Sequence, residues 1–345
     1  MSDTVDFATI ASPAIKAESS CIYANNGNQM KITVQFVALD TQSKPVPLTA
    51  ADLQACVWLI DYNATSFNQN LADDDNWAVD TAPGDFYKYP PQSRLTPQIP
   101  SKQGDPINSI DFYVRTDHYV SSVQIGWVIK TTTGAIYTCS SQQLGSPDVS
   151  PNYKSPAVFS LLEEVVYTMD LCKVTVDDQT VKTNDHQAWL HSLQIDDSKE
   201  GEGVPLGAVI HKLRFNNLTS TNPTDPNNVG ENSWDIYNYW KLDRYSDNSG
   251  RWWMTFLFTL GQSGNWEFWY KTYDMGSIPY NLDGSSVTSV YYYHTNAVPI
   301  YPQDTQDVSP PQFTIFDQFG NWGNFAVENQ DGGENGYLVY KSTPD

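Results

Sequence analysis

Between residues 30 and 40 the chain reads MKITVQFVALD, in which Ile32, Val34, Phe36 and Ala38 alternate with Lys31, Thr33, Gln35 and Val37. A two-residue period puts alternate side chains on opposite faces of a pleated strand, and a helix cannot sort them that way. Further strand-like runs follow at CVWLIDY (56–62), SIDFYVRT (109–116), SSVQIGWVIKT (121–131) and AIYTCS (135–140). The last two flank Thr132-Thr133-Gly134, a hairpin signal. Further on come LCKVTVDD (171–178), AWLHSLQIDD (188–197), AVIHKLRFNN (208–217), SSVTSVYYYHT (285–295) and two or three short strands within 312–341. Polar turn-forming residues separate nearly all of them, and residues 63–108 form a long irregular stretch rich in Asn, Asp, Pro and Gln.

The expected fold is all-β: two β-sandwich domains of Ig-like or jelly-roll-like kind, with at most one or two short helices. Aromatic residues make up 13% of the 345, which suits pleated surfaces better than long amphipathic helices. One short helix is expected after Thr49, where Asp52 three residues later completes a capping pattern. Residues 1–16 read as an N-terminal arm, 17–145 as the first sandwich, 146–156 as a proline-containing linker and 157–345 as a larger, aromatic-rich β domain. Ser155-Pro156 opens a helix-like spacing through Val158, Leu161, Leu162, Val165, Val166 and Met169. Phe159, Leu161, Val165, Tyr167 and Met169 also alternate, and of the two patterns the helix is preferred.

The densest aromatic stretch is RWWMTFLFTLGQSGNWEFWYKTYD (251–274). Folded as a hairpin about Gly261–Asn265, it pairs Phe258 with Phe268 and Phe256 with Tyr270 on a core face. The opposite face pairs Leu257 with Trp269 and Trp253 with Tyr273, among Thr255, Thr259, Glu267 and Lys271. Trp253, Leu257, Trp269 and Tyr273 are therefore the candidate binding residues, unless the protein's own chain covers them.

Forty acidic residues against 19 basic ones give a formal net charge of −21. Such a field repels phosphate backbones and anionic lipid, so neither nucleic acid nor a constitutive membrane anchor is expected. No apolar run is long enough for a transmembrane segment, and the N-terminus lacks the basic and apolar regions of a Sec-type signal. The protein is expected to be cytoplasmic at synthesis, or exported without such a signal. Cys21, Cys56, Cys139 and Cys172 are widely spaced and read as buried small hydrophobes rather than disulfides or zinc ligands. Two glycosylation-type triplets, at Asn63 and Asn217, carry no weight without a secretory leader.

Catalytic motifs are missing from the sequence. Gly261-Gln262-Ser263-Gly264 lacks the spacing of a nucleophile elbow, and no Walker loop, dinucleotide fingerprint or HExxH occurs. His186 and His191 stand five apart, a spacing that suits neither one helix face nor one strand face. No cofactor is expected. Calcium is the one metal whose hard oxygen ligands are on offer, with Asp73 and Asp75 in one loop and Asp331 and Glu334 in another as the candidates. Neither loop follows EF-hand order, and solvated acidic turns account for both.

The function expected from this pattern is that of a non-enzymatic β-sandwich protein acting through its surfaces. It would bind a glycan or a protein partner, or assemble with copies of itself, as a bacterial or phage appendage, particle, inclusion or virulence-associated protein. An all-β carbohydrate-active enzyme and a β-hairpin pore-forming toxin are the alternatives.

Overall fold

The computed structural model describes residues 6–91, 106–142, 144, 149–182, 186–216, 239–246, 252–258, 260–261, 263–270, 273–281, 284–294, 312–330 and 337–344. The fold is all-β, with several antiparallel sheets and one short helix among these residues. It divides into two compact units, Met1–Glu164 and Val165–Asp345.

Unit 1 begins with β1 (Thr9–Ala17), β2 (Cys21–Tyr23), β3 (Met30–Leu39) and β4 (Pro45–Val46). After helix α1 (Ala50–Cys56) come β5 (Val57–Asp61), β6 (Ala78–Asp80), β7 (Asn108–Arg115) and β8 (Val123–Lys130). The unit closes with β9 (Ile136–Cys139), β10 (Val149–Tyr153) and β11 (Ala157–Leu162). One sheet has the order β1-β3-β7-β6, with β4 on β3; the other has β10-β9-β8-β11-β2, with β5 on β8. Ile125 pairs with both Asp61 and Ala157, and Ile129 with both Val57 and Tyr137, so β5 takes one edge of β8 while β11 and β9 share the other.

The alternation of the sequence becomes the core. Ile32, Val34 and Phe36 of β3 and Ile110, Phe112 and Val114 of β7 join Ile125, Trp127 and Ile129 of β8 in one buried cluster spanning both sheets. Helix α1 is capped as its sequence requires: the Asp52 N–H donates to Thr49 Oγ1 at 3.2 Å, and the Thr49 N–H donates to Asp52 Oδ2 at 3.0 Å.

The helix expected from residue 157 is corrected to strand β11. Ala157, Phe159 and Leu161 are buried while Val158 and Ser160 are exposed, so the two-residue period wins over the helical one. The physical reason is partnership: β11 lies antiparallel to β8 and parallel to β2, whose unpaired edges need its backbone groups. The segment expected as an N-terminal arm carries β1, and the expected linker carries β10, which runs parallel to β9. The unit boundary falls between Glu164 and Val165.

Unit 2 contains β12 (Cys172–Lys182), β13 (His186–Ile195), β14 (Ile210–Phe215), β15 (Tyr239–Ser246) and β16 (Trp252–Phe258). It continues with β17 (Ser263–Tyr270), β18 (Tyr273–Asn281), β19 (Val287–His294), β20 (Gln312–Asp317), β21 (Trp322–Gln330) and β22 (Tyr337–Ser342). Its sheets are β12-β13-β19-β16-β15, β14-β20-β21-β22 and the pair β17-β18. Leu193 and Val287 of the first sheet and Phe313, Ile315, Phe325 and Tyr340 of the second share a buried cluster.

A carboxylate organises the β20–β21 turn. Buried Asp317 accepts from the Phe319 and Asn321 N–H groups at 2.8 and 2.9 Å, from Asn321 Nδ2 at 3.0 Å and from the Tyr167 hydroxyl at 2.7 Å. The Tyr167 contact ties the start of unit 2 to its second sheet, reinforced by the bridge between Val166 and Trp322. Gly323 is required there, because a Cβ would overlap the Tyr167 carbonyl oxygen.

Candidate binding cleft

The hairpin expected at 251–274 is not formed, which corrects the pairing of its two halves. β16 is an inner strand: Trp253 stands opposite Tyr245 of β15 and Tyr293 of β19, and Leu257 opposite Trp240 and Ser289. β17 pairs instead with β18, with Trp269 opposite Asp274 and Tyr270 opposite Tyr273. Trp253 and Leu257 therefore belong to one sheet and Trp269 and Tyr273 to another, and the face that would have united them loses its geometric basis. The hairpin was attractive because its turn is local and its faces match. One near partner, β15, with Ser246 opposite Trp252, and one distant partner, β19, with His294 opposite Trp252, satisfy both edges of β16.

Asp73, Asp74 and Asp75 are exposed, and Asp74 Oδ1 accepts from the Asn76 N–H and from Asn76 Nδ2, both at 2.9 Å. Among the described residues no group of three or more His, Cys, Asp or Glu is arranged to hold a metal. Asp331 and Glu334 lie outside the described residues. His186 and His191 both lie in β13, where His191 is buried and its imidazole is pushed down to about 4 by burial. All four cysteines are free thiols and buried.

A cleft of about 810 Å³ opens on unit 1, at a place the sequence reading passed over. Its floor comes from the sheet: Lys31 on β3, Tyr113 on β7 and Glu18 just after β1. Its wall is the loop that carries Pro83 and the run Tyr87-Lys88-Tyr89-Pro90-Pro91. A loop so rich in turn formers needs external support, and two buried amides before β3 supply it. Asn28 Nδ2 donates to the carbonyl oxygens of Phe86 and Lys88 at 3.1 and 2.8 Å, while its Oδ1 accepts from the Tyr23 N–H at 3.0 Å. Gln29 accepts from the Gly84 N–H at 2.6 Å, donates through Nε2 to Asp80 at 3.3 Å, and gives its own N–H to the Phe86 carbonyl at 3.0 Å. Asn28 and Gln29 are essentially inaccessible, so these bonds form away from competing water.

Several polar groups of the cleft are already paired. The Tyr89 hydroxyl donates to Glu18 Oε2 at 2.9 Å and receives the Lys31 N–H at 3.3 Å. Burial and the Glu18 bond both push the Tyr89 hydroxyl well above its ordinary range, so it stays a donor at any physiological pH. The Lys31 ammonium lies 3.0 Å from Asp111 Oδ2, and Thr33 Oγ1 donates to Asp111 Oδ1 at 2.7 Å. Partial burial works against the Lys31 charge, but the bond and charge of Asp111, with Glu18 and Tyr113 adding to them, raise its pKa above the ordinary value. Tyr87 is 55% exposed, so it presents most of its ring to solvent. Glu18 is the sole carboxylate among the described lining residues, whereas hydrolysis of a glycoside by paired carboxylates needs two facing the bond. The arrangement offers aromatic and proline surface with a fixed polar floor, which is suited to holding a ligand.

The signal for this cleft was the pentapeptide YKYPP at 87–91. Two tyrosines and two prolines around a lysine are an unusual density of rigid surface for a solvent-facing loop. What no local pattern contained was the distant Asn28 and Gln29 that pin it.

No family model and no curated protein matches the chain. Among solved structures, the adhesin InvE of Yersinia pseudotuberculosis is similar over 96% of this chain and 59% of its own length, at 9% identity and a TM-score of 0.20. The chain thus spans less than two thirds of that protein, and the TM-score is too low to imply a shared fold. Among the described residues no helix is long and apolar enough to cross a membrane.

Proposed function

We propose that the chain is a non-catalytic β protein that works through its surfaces, and that the cleft bounded by Tyr87, Tyr89 and Tyr113 takes a carbohydrate. The observation that carries this reading is the combination of three tyrosines with Lys31, Lys88 and Glu18 in one open cleft. Sugar rings present apolar C–H faces that rest on aromatic rings, and hydroxyl edges that need donors and acceptors close by. The Lys31–Asp111 and Tyr89–Glu18 pairs hold such groups in place before a ligand arrives, which lowers the ordering cost of binding. A cleft for a proline-rich peptide would share the tyrosines but has less use for a charged floor.

The test is a glycan array probed with the full chain, run beside a Tyr87→Ala variant and a reducing-end assay on the glycans retained. Retention of a defined class of glycan, weaker for Tyr87→Ala and without turnover, is the expected result. Turnover would place the chain among carbohydrate-active enzymes. An empty array, or retention that ignores Tyr87, would defeat the reading; capture of proline-rich peptides in a parallel array would replace it with peptide recognition.

A further inference from the structure

Among the described residues β12 is the end strand of its sheet, and it leaves apolar side chains exposed. Val174 stands opposite Leu193 and Val176 opposite His191, so all four share the sheet face that packs on the core of unit 2. Leu193 is 0% and His191 5% exposed, yet Val174 is 37% and Val176 49% exposed. The covering layer reaches β12 at buried Cys172 and leaves Val174 and Val176 outside it. From Cys172 to Asp177 the ladder with β13 is regular, and its irregularity comes only beyond Asp177. Several other sheet ends are blunted: β1 has a register shift at Ser12-Pro13, β6 is three residues long, and β10 contains Pro151 within a register shift.

We infer that β12 is a self-association edge, on which a second copy of this chain pairs antiparallel through a two-fold axis at Thr175. The register follows from geometry. Directly opposed residues of an antiparallel ladder share a face, so a two-fold pair must be centred on a residue. Centred on Thr175, Val174 of each copy meets Val176 of the other, which covers the exposed valines with their own kind. The same register sets position 173, a lysine, opposite position 177, an aspartate, twice by symmetry, so the sequence is charge-complementary in that register. Centring on Val174 would oppose Lys173 to Thr175, and centring on Val176 would oppose Val174 to Asp178; neither matches both charge and apolar surface. In each copy Lys173 already pairs with Asp197, both of them exposed, so an added carboxylate across the edge extends an existing ionic contact. This surface is independent of the cleft on unit 1.

The experiment is a concentration series of the full chain by light scattering and sedimentation, with three single variants and one double. A reversible dimer is expected for the natural sequence. Val176→Asp, Lys173→Glu and Asp177→Lys should each weaken it by about tenfold or more, because each sets a charge against apolar surface or like against like. The double variant Lys173→Glu/Asp177→Lys exchanges the two signs and should recover the dimer, although it does not restore the Lys173–Asp197 contact. Circular dichroism of every variant keeps a folding failure from passing as loss of association. A strictly monomeric natural protein, a dimer indifferent to the single variants, or a double variant no better than its parents would overturn the proposal.

Discussion

Two buried titratable side chains of unit 2 carry opposite pH signatures. Burial pushes His191 from an ordinary 6.5 down to about 4, so the unfolded chain binds the proton more readily. Its contribution is complete above pH 6.5 and is lost as pH falls toward 4. Asp317 behaves the other way. Burial raises it from 3.8 to about 6 against the pull of four donors, so its contribution is complete below pH 3.8 and is lost as pH rises through 6. Each shift corresponds to about 3 kcal/mol over its window, so the two nearly cancel in the natural protein. Asp317→Asn should therefore leave stability falling with acid between pH 6.5 and 4, and His191→Gln should leave it rising over the same range. Chemical denaturation at several pH values reads these slopes; variants with the same slope would refute the assignment. The sequence singled out His191 only as half of a poorly spaced pair with His186, and Asp317 was one of forty acids.

At the scale of elements, legibility tracked how local the partner is. β7 was readable because a single buried face imposes alternation, and β8 and β9 because their hairpin closes within a few residues. β11 was misread because its six residues fit both periods, and only contact with β8 and β2 decides between them. β16 was paired with the run after it, whereas its neighbours are the run before it, β15, and β19, more than thirty positions on, whose contact no local pattern announces. Close packing gives one clear test. A Cβ on Gly126 of β8 would overlap the Cys139 carbonyl oxygen of β9, so Gly126→Ala should cost about 1–3 kcal/mol by denaturant titration; an unchanged midpoint would mean that β9 does not sit there. The cleft loop gives another. Asn28→Ala removes two supports of residues 86–88 without touching the lining, so ligand affinity should fall while the sheet persists. An unchanged affinity would show that the loop needs no such clamp.

On the scale of the whole molecule, composition constrained the fold class and the charge, and it left the site open. The buried thiols are where it was most direct. Cys56 and Cys172 are pushed up to about 12 and Cys139 to about 11, by burial first, and Cys21 is raised for the same reason. A hydrophilic thiol reagent should therefore label none of the four in the native protein and all four after unfolding, and a reductant should leave the melting temperature unchanged. Rapid native labelling would contradict the packing of both units. The cleft was invisible at this scale because its tyrosines come from two places far apart in sequence, and its loop lies in the stretch 63–108 that offered no periodicity.

The central claim is that the tyrosine-lined cleft of unit 1 holds a carbohydrate. Calorimetric titration of the best-retained saccharide into the natural protein, Tyr87→Ala and Tyr113→Ala tests it most directly. The account predicts one site per chain and a loss of about tenfold in affinity for each variant, the scale of a lost ring contact. Equal affinities for all three proteins, or binding abolished instead by changes at Trp253 or Trp269 alone, would place the ligand elsewhere and contradict it.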